Sequence, residues 1–215
     1  MNHSYHLVPF WADARPPVQD LAQLHRELLP TSPVALLGDR FMKRFYYMVL
    51  PRENLICGAV AYVDNQPAGF IVATHDSNGF MRKALRRYWL YLIWVIGTSV
   101  LLEPKRLGAV WEAFQIMKHR TPAQRGEEEG EILSFGVLPP YLSPRFIRQS
   151  GLQLSTDLLK NAIAQLSKWN VPAIRAVVDA DNTPAKLFYH GLGWSLDRSR
   201  VPGWRTPSVE FLWRL

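Results

Sequence analysis

The chain has one cysteine, Cys57, in 215 residues. That scarcity excludes a disulfide framework and any zinc cluster built on cysteine. The six histidines, His3, His6, His25, His75, His119 and His190, show no metal-ligand spacing, so no metal is expected. No tract is dominated by glycine, serine or proline, which excludes collagen, disordered tails and repeat solenoids. No positively charged start leads into an apolar run with a small-residue cleavage site, so a secretory leader is not expected. The longest uncharged run in the basic middle of the chain, Tyr88 to Leu102, has fifteen residues. A membrane span needs about 20. The expectation is a single cytoplasmic domain over residues 1–215.

Acidic residues are also in short supply, 18 against 25 basic ones, for a net charge of +7. The imbalance is local. Between Gly79 and Arg120 stand Arg82, Lys83, Arg86, Arg87, Lys105, Arg106, Lys118 and Arg120, opposed only by Glu103 and Glu112. Phe80, Tyr88, Trp89, Tyr91, Trp94, Trp111 and Phe114 share this stretch. It reads as two helices, Phe80 to about Leu101 and Pro104 to Lys118, forming a basic, aromatic hairpin insert over 79–120. Three readings are open for it. It packs on the domain or on a second subunit; it lies on a membrane surface, peripheral at the inner face; or it covers an anionic acceptor. No nucleic-acid module accompanies the charge, so a nucleic-acid partner is not expected.

The remainder alternates strand and helix signals. Tyr5 to Pro9 is a strand, and apolar spacing from Val18 to Leu29 marks an amphipathic helix that Pro30 stops. Asp39 to Leu50 reads as a second helix with Phe41, Phe45, Met48 and Val49 on one face. Leu55 to Val63 and Ala68 to Thr74 form a hairpin around Asp64-Asn65-Gln66-Pro67. After an acidic loop, Gly126 to Gly130, come a strand over Ile132 to Leu138 and a long helix over Ser150 to Trp169. A strand at Ala173 to Val178, a helix at Pro184 to His190, and strands at Trp194 to Asp197 and Ser208 to Leu215 complete the order. The fold class is α/β, a mixed sheet with helices on its faces and the hairpin inserted between the third and fourth strands.

Chemistry concentrates between Ile132 and Trp194. A strand runs into a proline-containing loop, then Arg148-Gln149-Ser150-Gly151-Leu152-Gln153 and a helix. Amides at a helix start, with a glycine permitting close approach, suit an anion such as a pyrophosphate. A strand follows, then Asp181-Asn182-Thr183-Pro184-Ala185-Lys186-Leu187-Phe188-Tyr189-His190-Gly191-Leu192-Gly193-Trp194. At these residues the sequence resembles the GNAT superfamily of acetyl-CoA-dependent N-acetyltransferases. Arg148 and Gly151 match the phosphate-loop pattern Q/R-x-x-G-x-G/A, with Gln153 where the family has glycine or alanine. Asn182, Ala185, Phe188, Tyr189 and Gly193 match N-x-x-A-x-x-F-Y-x-x-x-G-F, with Trp194 in place of the last phenylalanine.

The resemblance implies an enzyme that transfers acetyl from acetyl-CoA to a primary amine by direct attack in a ternary complex. It implies that Leu133, Phe135 and Val137 lie on a strand splayed from its parallel neighbour to hold the pantetheine arm. The amides of Gln149, Ser150, Gly151, Leu152 and Gln153, with the charge of Arg148, would hold the diphosphate. Asn182, Ala185 and Phe188 would border the cofactor. Tyr189 falls on the position of the acid that protonates the leaving thiolate, and Glu131 is the first choice for the base. Arg40, Arg44, Tyr46 and Tyr47 would line the site of a small-molecule amine, such as a nucleotide- or lipid-linked amino sugar. Structural readings stand beside these. Tyr189 as core packing, Glu131 as part of a solvated acidic loop, Asn182 as a helix cap, and the second-helix residues as surface charge and core are all open. Two further alternatives are a catalytically weak relative serving as a membrane-surface or protein-binding module, and an enzyme with a longer acyl donor.

Overall fold

The hairpin at Asp64-Asn65 seeds the sheet. Both residues have positive φ, 51° and 60°, the geometry of the two-residue turns whose twist suits antiparallel strands. They join β2 (Cys57–Val63) to β3 (Gln66–Thr74), and β1 (Tyr5–Phe10) lies antiparallel on the outer side of β2. The Asp64 carboxylate also accepts from the Ser4 amide at 2.9 Å, tying the entry of β1 to this turn. The computed structural model describes residues 3–102, 108, 129–199, 201 and 206–215. Within them β4 (Gly130–Val137), β5 (Ala173–Asp179), β6 (Ser195–Arg198) and β7 (Ser208–Arg214) complete a seven-stranded sheet in the order β1-β2-β3-β4-β5-β7-β6. This is the mixed sheet expected from the sequence.

Helices cover both faces. On one lie α1 (Val18–Leu28), the short α2 (Pro33–Leu36), α3 (Asp39–Phe41) and α4 (Val49–Arg52), and α5 (Phe80–Leu102), which bends at Tyr88. Leu21, Leu24, Phe41, Phe45, Phe70, Phe80 and Leu92 are buried together there. The other face follows two short helices, α6 (Pro139–Leu142) and α7 (Pro144–Ser150), with α8 (Leu154–Ser167) and α9 (Thr183–Gly191). Leu154, Leu158, Leu159, Ala162 and Leu166 recur at helical spacing and bury one stripe of α8 against Ala59, Ile71, Ile132 and Ile174.

Three expectations are corrected. The second helix is not continuous: a π-helical turn, Met42–Tyr46, separates α3 from α4, with Tyr47 N–H donating to the Met42 carbonyl at 2.9 Å. The wider turn buries Phe45, Tyr46 and Tyr47 in succession, and Met48, expected inward, is 53% exposed. The long helix starts at Leu154 rather than Ser150, because Gly151 at φ 69° ends α7 in the left-handed conformation. The acidic loop is not wholly solvated, since Glu129 and Glu131 are buried. α5 lies between β3 and β4; of the second expected arm of the insert, over 104–118, only residue 108 is among the described residues.

His25 is fully buried on α1, its Nδ1 bonded to the Tyr47 hydroxyl and its Nε2 to Ser32 Oγ at 2.7 Å. A neutral ring satisfies both partners, accepting at one nitrogen and donating at the other. Burial lowers its pKa from 6.5 to about 4. Because the unfolded chain binds this proton more readily, the stabilisation is complete above about pH 6.5 and is lost as pH falls towards 4, by about 3 kcal/mol in all. Urea unfolding across this range should show that slope, and His25→Gln should abolish it.

Candidate active site

β4 and β5 are parallel and pair at only three positions, Gly130↔Ile174, Glu131↔Arg175 and Ile132↔Ala176. They then part. Leu133 is the extra residue of a bulge: Val72 pairs with Ser134 and Ala73 with Ile132, leaving Leu133 unopposed. Such a bulge bends the strand. Beyond it, β4 stays paired with β3 as far as Gly69↔Val137, while its edge towards β5 has no strand partner among the described residues. An unpaired strand edge is a template for an extended chain bearing amides. The splay expected at Leu133 to Val137 is therefore present. Phe135 and Val137 face α8 and α9, and Leu133 faces α1 and α5. The ring of Phe135 lies 5.7 Å from that of Phe188 on α9, so the two elements meet at the opening.

The run expected to hold the diphosphate is partly taken up by a helix. Arg148, Gln149 and Ser150 are the last turn of α7, so their amides serve that helix. Gly151 N–H donates to the Ile147 carbonyl at 2.8 Å and Leu152 N–H to Ser150 Oγ at 3.2 Å. The amides with no acceptor among the described residues come next, at Gln153, Leu154, Ser155 and Thr156, the start of α8. Gln153 makes no side-chain cap and is exposed. A methyl group at Gly151 would meet nothing within 4 Å, so the approach to these amides is open. Arg148 is exposed in the last turn of α7, its Nε donating to the Pro144 carbonyl at 3.2 Å. Leu154 and Val137 are buried in the same core cluster, which ties the start of α8 to the sheet face that carries β4.

On α9, Asn182 is the N-cap. Its Oδ1 accepts from the Ala185 amide at 3.1 Å, so this pair is committed to the helix end. Tyr189 is 4% exposed, its ring 5.0 Å from Trp194 and 5.7 Å from Phe211. Its hydroxyl has no hydrogen-bond partner among the described residues, and burial pushes its pKa above the ordinary phenol value. The hydroxyl is consequently protonated throughout the physiological range.

Glu131 is not a free base. Its carboxylate is buried and accepts from Arg175 Nη2 at 2.9 Å and Nε at 3.3 Å. The pair begins a line of charge across the sheet. Arg175 Nη1 is 3.8 Å from Glu210, and Glu210 is 3.7 Å from Arg198 Nε, which lies 3.8 Å from Asp197. Sequence reading passed over Arg175 and Glu210, although a charge inside the apolar runs of β5 and β7 is itself a signal. Glu210 stands opposite Val177, the first β5 residue beyond the parting of the strands. Its looser pairing leaves burial dominant, and its pKa is raised despite Arg175 and Arg198.

The residues expected to line the acceptor site divide. Arg40 and Arg44 are exposed, and the Arg44 guanidinium lies 5.4 Å over the Trp94 ring. Tyr46 and Tyr47 are buried among His25, Phe41 and each other, so they support the wall rather than face a ligand. Cys57 is buried and its thiol is pushed up to about 12, which makes it inert. Among the described residues no group of side chains could hold a metal ion.

A mixed sheet parting between two parallel strands, with a helix start beyond the parting, defines an acyltransferase fold of the GNAT kind. Solved structures share it along nearly the whole chain. Arabidopsis thaliana NAA60 in complex with acetyl-CoA superposes with a TM-score of 0.56 at 14% identity, over 99% of each chain. The NatC complex bound to Gag peptide and CoA gives 0.55 at 14% identity, over 100% of this chain and 99% of that one. The PaiA N-acetyltransferase of Thermoplasma acidophilum in complex with coenzyme A gives 0.53 at 13%, over 99% of each. In sequence, no family model and no curated protein matches the chain.

Proposed function

We propose that the protein is an N-acetyltransferase that transfers the acetyl group of acetyl-CoA to a primary amine. The observation that carries this reading is the unpaired β4 edge, Leu133 to Val137, leading to the unpaired amides of Gln153 to Thr156. The two features fit the two halves of CoA: an extended arm with amides, and a diphosphate. When bound, acetyl-CoA supplies an activated thioester. The chain's own residues supply the rest. The β4 edge orients the arm, the α8 amides and Arg148 hold negative charge, and Tyr189 Oη holds a proton for the departing sulfur. Glu210 takes the proton of the acceptor ammonium, a task suited to a carboxylate whose proton affinity burial has raised.

The acceptor we propose is a small-molecule amine, an amino sugar in nucleotide- or lipid-linked form being the first class to try. Along β4, β7 and β6 the three acids Glu131, Glu210 and Asp197 meet, among the described residues, only two arginines, Arg175 and Arg198, and the excess negative charge complements an ammonium. Thiol release from acetyl-CoA should be measured with amino sugars, polyamines and short peptides. Turnover with a peptide alone would move the acceptor to a polypeptide amine. No thiol release with any amine, together with no CoA binding, would overturn the reading. Glu210→Gln should lower kcat by about 10²–10⁴-fold. In the parent protein the rate should fall as pH drops through the raised pKa of Glu210, and the variant should lack that acidic limb. An unchanged profile would remove Glu210 from proton transfer.

A further inference from the structure

The outward face of α5 is not used in the acetyl transfer proposed above, and its composition is unusual for a surface. Phe80, Ala84, Leu92 and Val95 point inward to the core. The helix is fixed from beneath: the Tyr88 hydroxyl donates to the Glu53 carboxylate and the Tyr91 hydroxyl to the Arg44 carbonyl at 3.3 Å. Opposite them, Trp89, Leu90, Ile93 and Trp94 are 50–65% exposed. One to two turns towards the N-terminus, across the bend at Tyr88, Arg82, Lys83, Arg86 and Arg87 are exposed. Lys83 pairs with Asp76 and Arg87 with Glu53, whereas Arg82 and Arg86 have no partner among the described residues. The sequence of α5 contains no acidic residue.

We propose that this face docks on the surface of an anionic lipid bilayer, with the arginines at the headgroup phosphates and Trp89, Leu90, Ile93 and Trp94 entering the headgroup–acyl boundary. Tryptophan suits that boundary because one ring carries an apolar body and a polar N–H. The cations supply the attraction to anionic lipid. A second copy of the chain is the poorer occupant, since this face would meet its own Arg82 and Arg86 with no acid on the helix to answer them. No described helix is long and apolar enough to cross a membrane, so the contact is with the surface.

Co-sedimentation of the whole protein with phosphatidylcholine vesicles, with and without about one-third phosphatidylglycerol, tests this. Binding is expected on the anionic vesicles at low salt, with loss in high salt and little binding to phosphatidylcholine alone. Replacing Arg82→Ala and Arg86→Ala together should weaken partitioning about 25-fold, roughly five-fold per cation. Trp89→Ala with Ile93→Ala should reduce binding even at low salt. Both variants should keep the parent melting temperature, and Leu90→Ser replaces the apolar pair if that pair melts early. Equal binding to both vesicle types, or none to either, overturns the proposal. So does a dimer in sedimentation velocity that the apolar substitutions convert to monomer. Vesicle binding is read without acetyl-CoA, so its outcome is separate from that of the enzymatic reading.

Discussion

Tyr189→Phe is expected to lower kcat by about 10²–10⁴-fold with little change in the KM for acetyl-CoA, the signature of an interaction made in the transition state. The substitution keeps the ring that packs on Trp194 and Phe211. It removes a hydroxyl that no described protein group engages, so the melting temperature should stay near that of the parent. Burial keeps this proton on the phenol, and in the proposed mechanism the departing thiolate is the group that takes it up. An undiminished kcat would return Tyr189 to the core. Loss of stability and activity together would do the same.

Arg175→Met is expected to destabilise the fold by about 3–5 kcal/mol, because two carboxylates then remain buried without their shared cation. Arg175 is 8% exposed and bridges Glu131 to Glu210 across β4, β5 and β7. Replacing all three with apolar residues (Arg175→Met, Glu131→Leu, Glu210→Leu) should recover most of the loss, since such triads are often neutral when exchanged as a set. Urea unfolding of the single and triple variants separates the two cases. A mild single variant would mean that water reaches the pair. The triple variant should remain folded yet inactive, which assigns the charge line to acetyl transfer rather than to holding the sheet.

Much of this architecture is legible in the sequence because it is written in local signals. The apolar spacing of α1 and α8, the Asp64-Asn65 turn and the proline-flanked ends of strands all act over a few residues. The run from Asn182 to Gly193 placed α9 and Tyr189 for the same reason. What escaped depends on tertiary company. Phe45-Tyr46-Tyr47 is compatible with an α-helix until three rings must be buried in succession, and only then does the π-turn follow. Arg148 to Ser150 resembles a loop motif, yet Ser143 caps a helix that consumes those amides, its Oγ accepting from Phe146 N–H at 3.2 Å. Glu131 stands in an acidic cluster that looks solvated. The cation that captures it, Arg175, is 44 residues away and adjacent only once β4 and β5 pair.

Calorimetric titration of CoA into the parent protein and into Ser155→Glu tests the central assignment most directly. Ser155 is in the first turn of α8 among the unpaired amides, where a carboxylate favours the helix dipole and opposes a diphosphate. The expected result is one CoA per chain in the parent, at least about ten-fold weaker binding in the variant, and a melting temperature equal to or above that of the parent. Absence of CoA binding to the parent, or equal affinity in the two proteins, would contradict the placement of CoA between β4 and β5 with its diphosphate at α8.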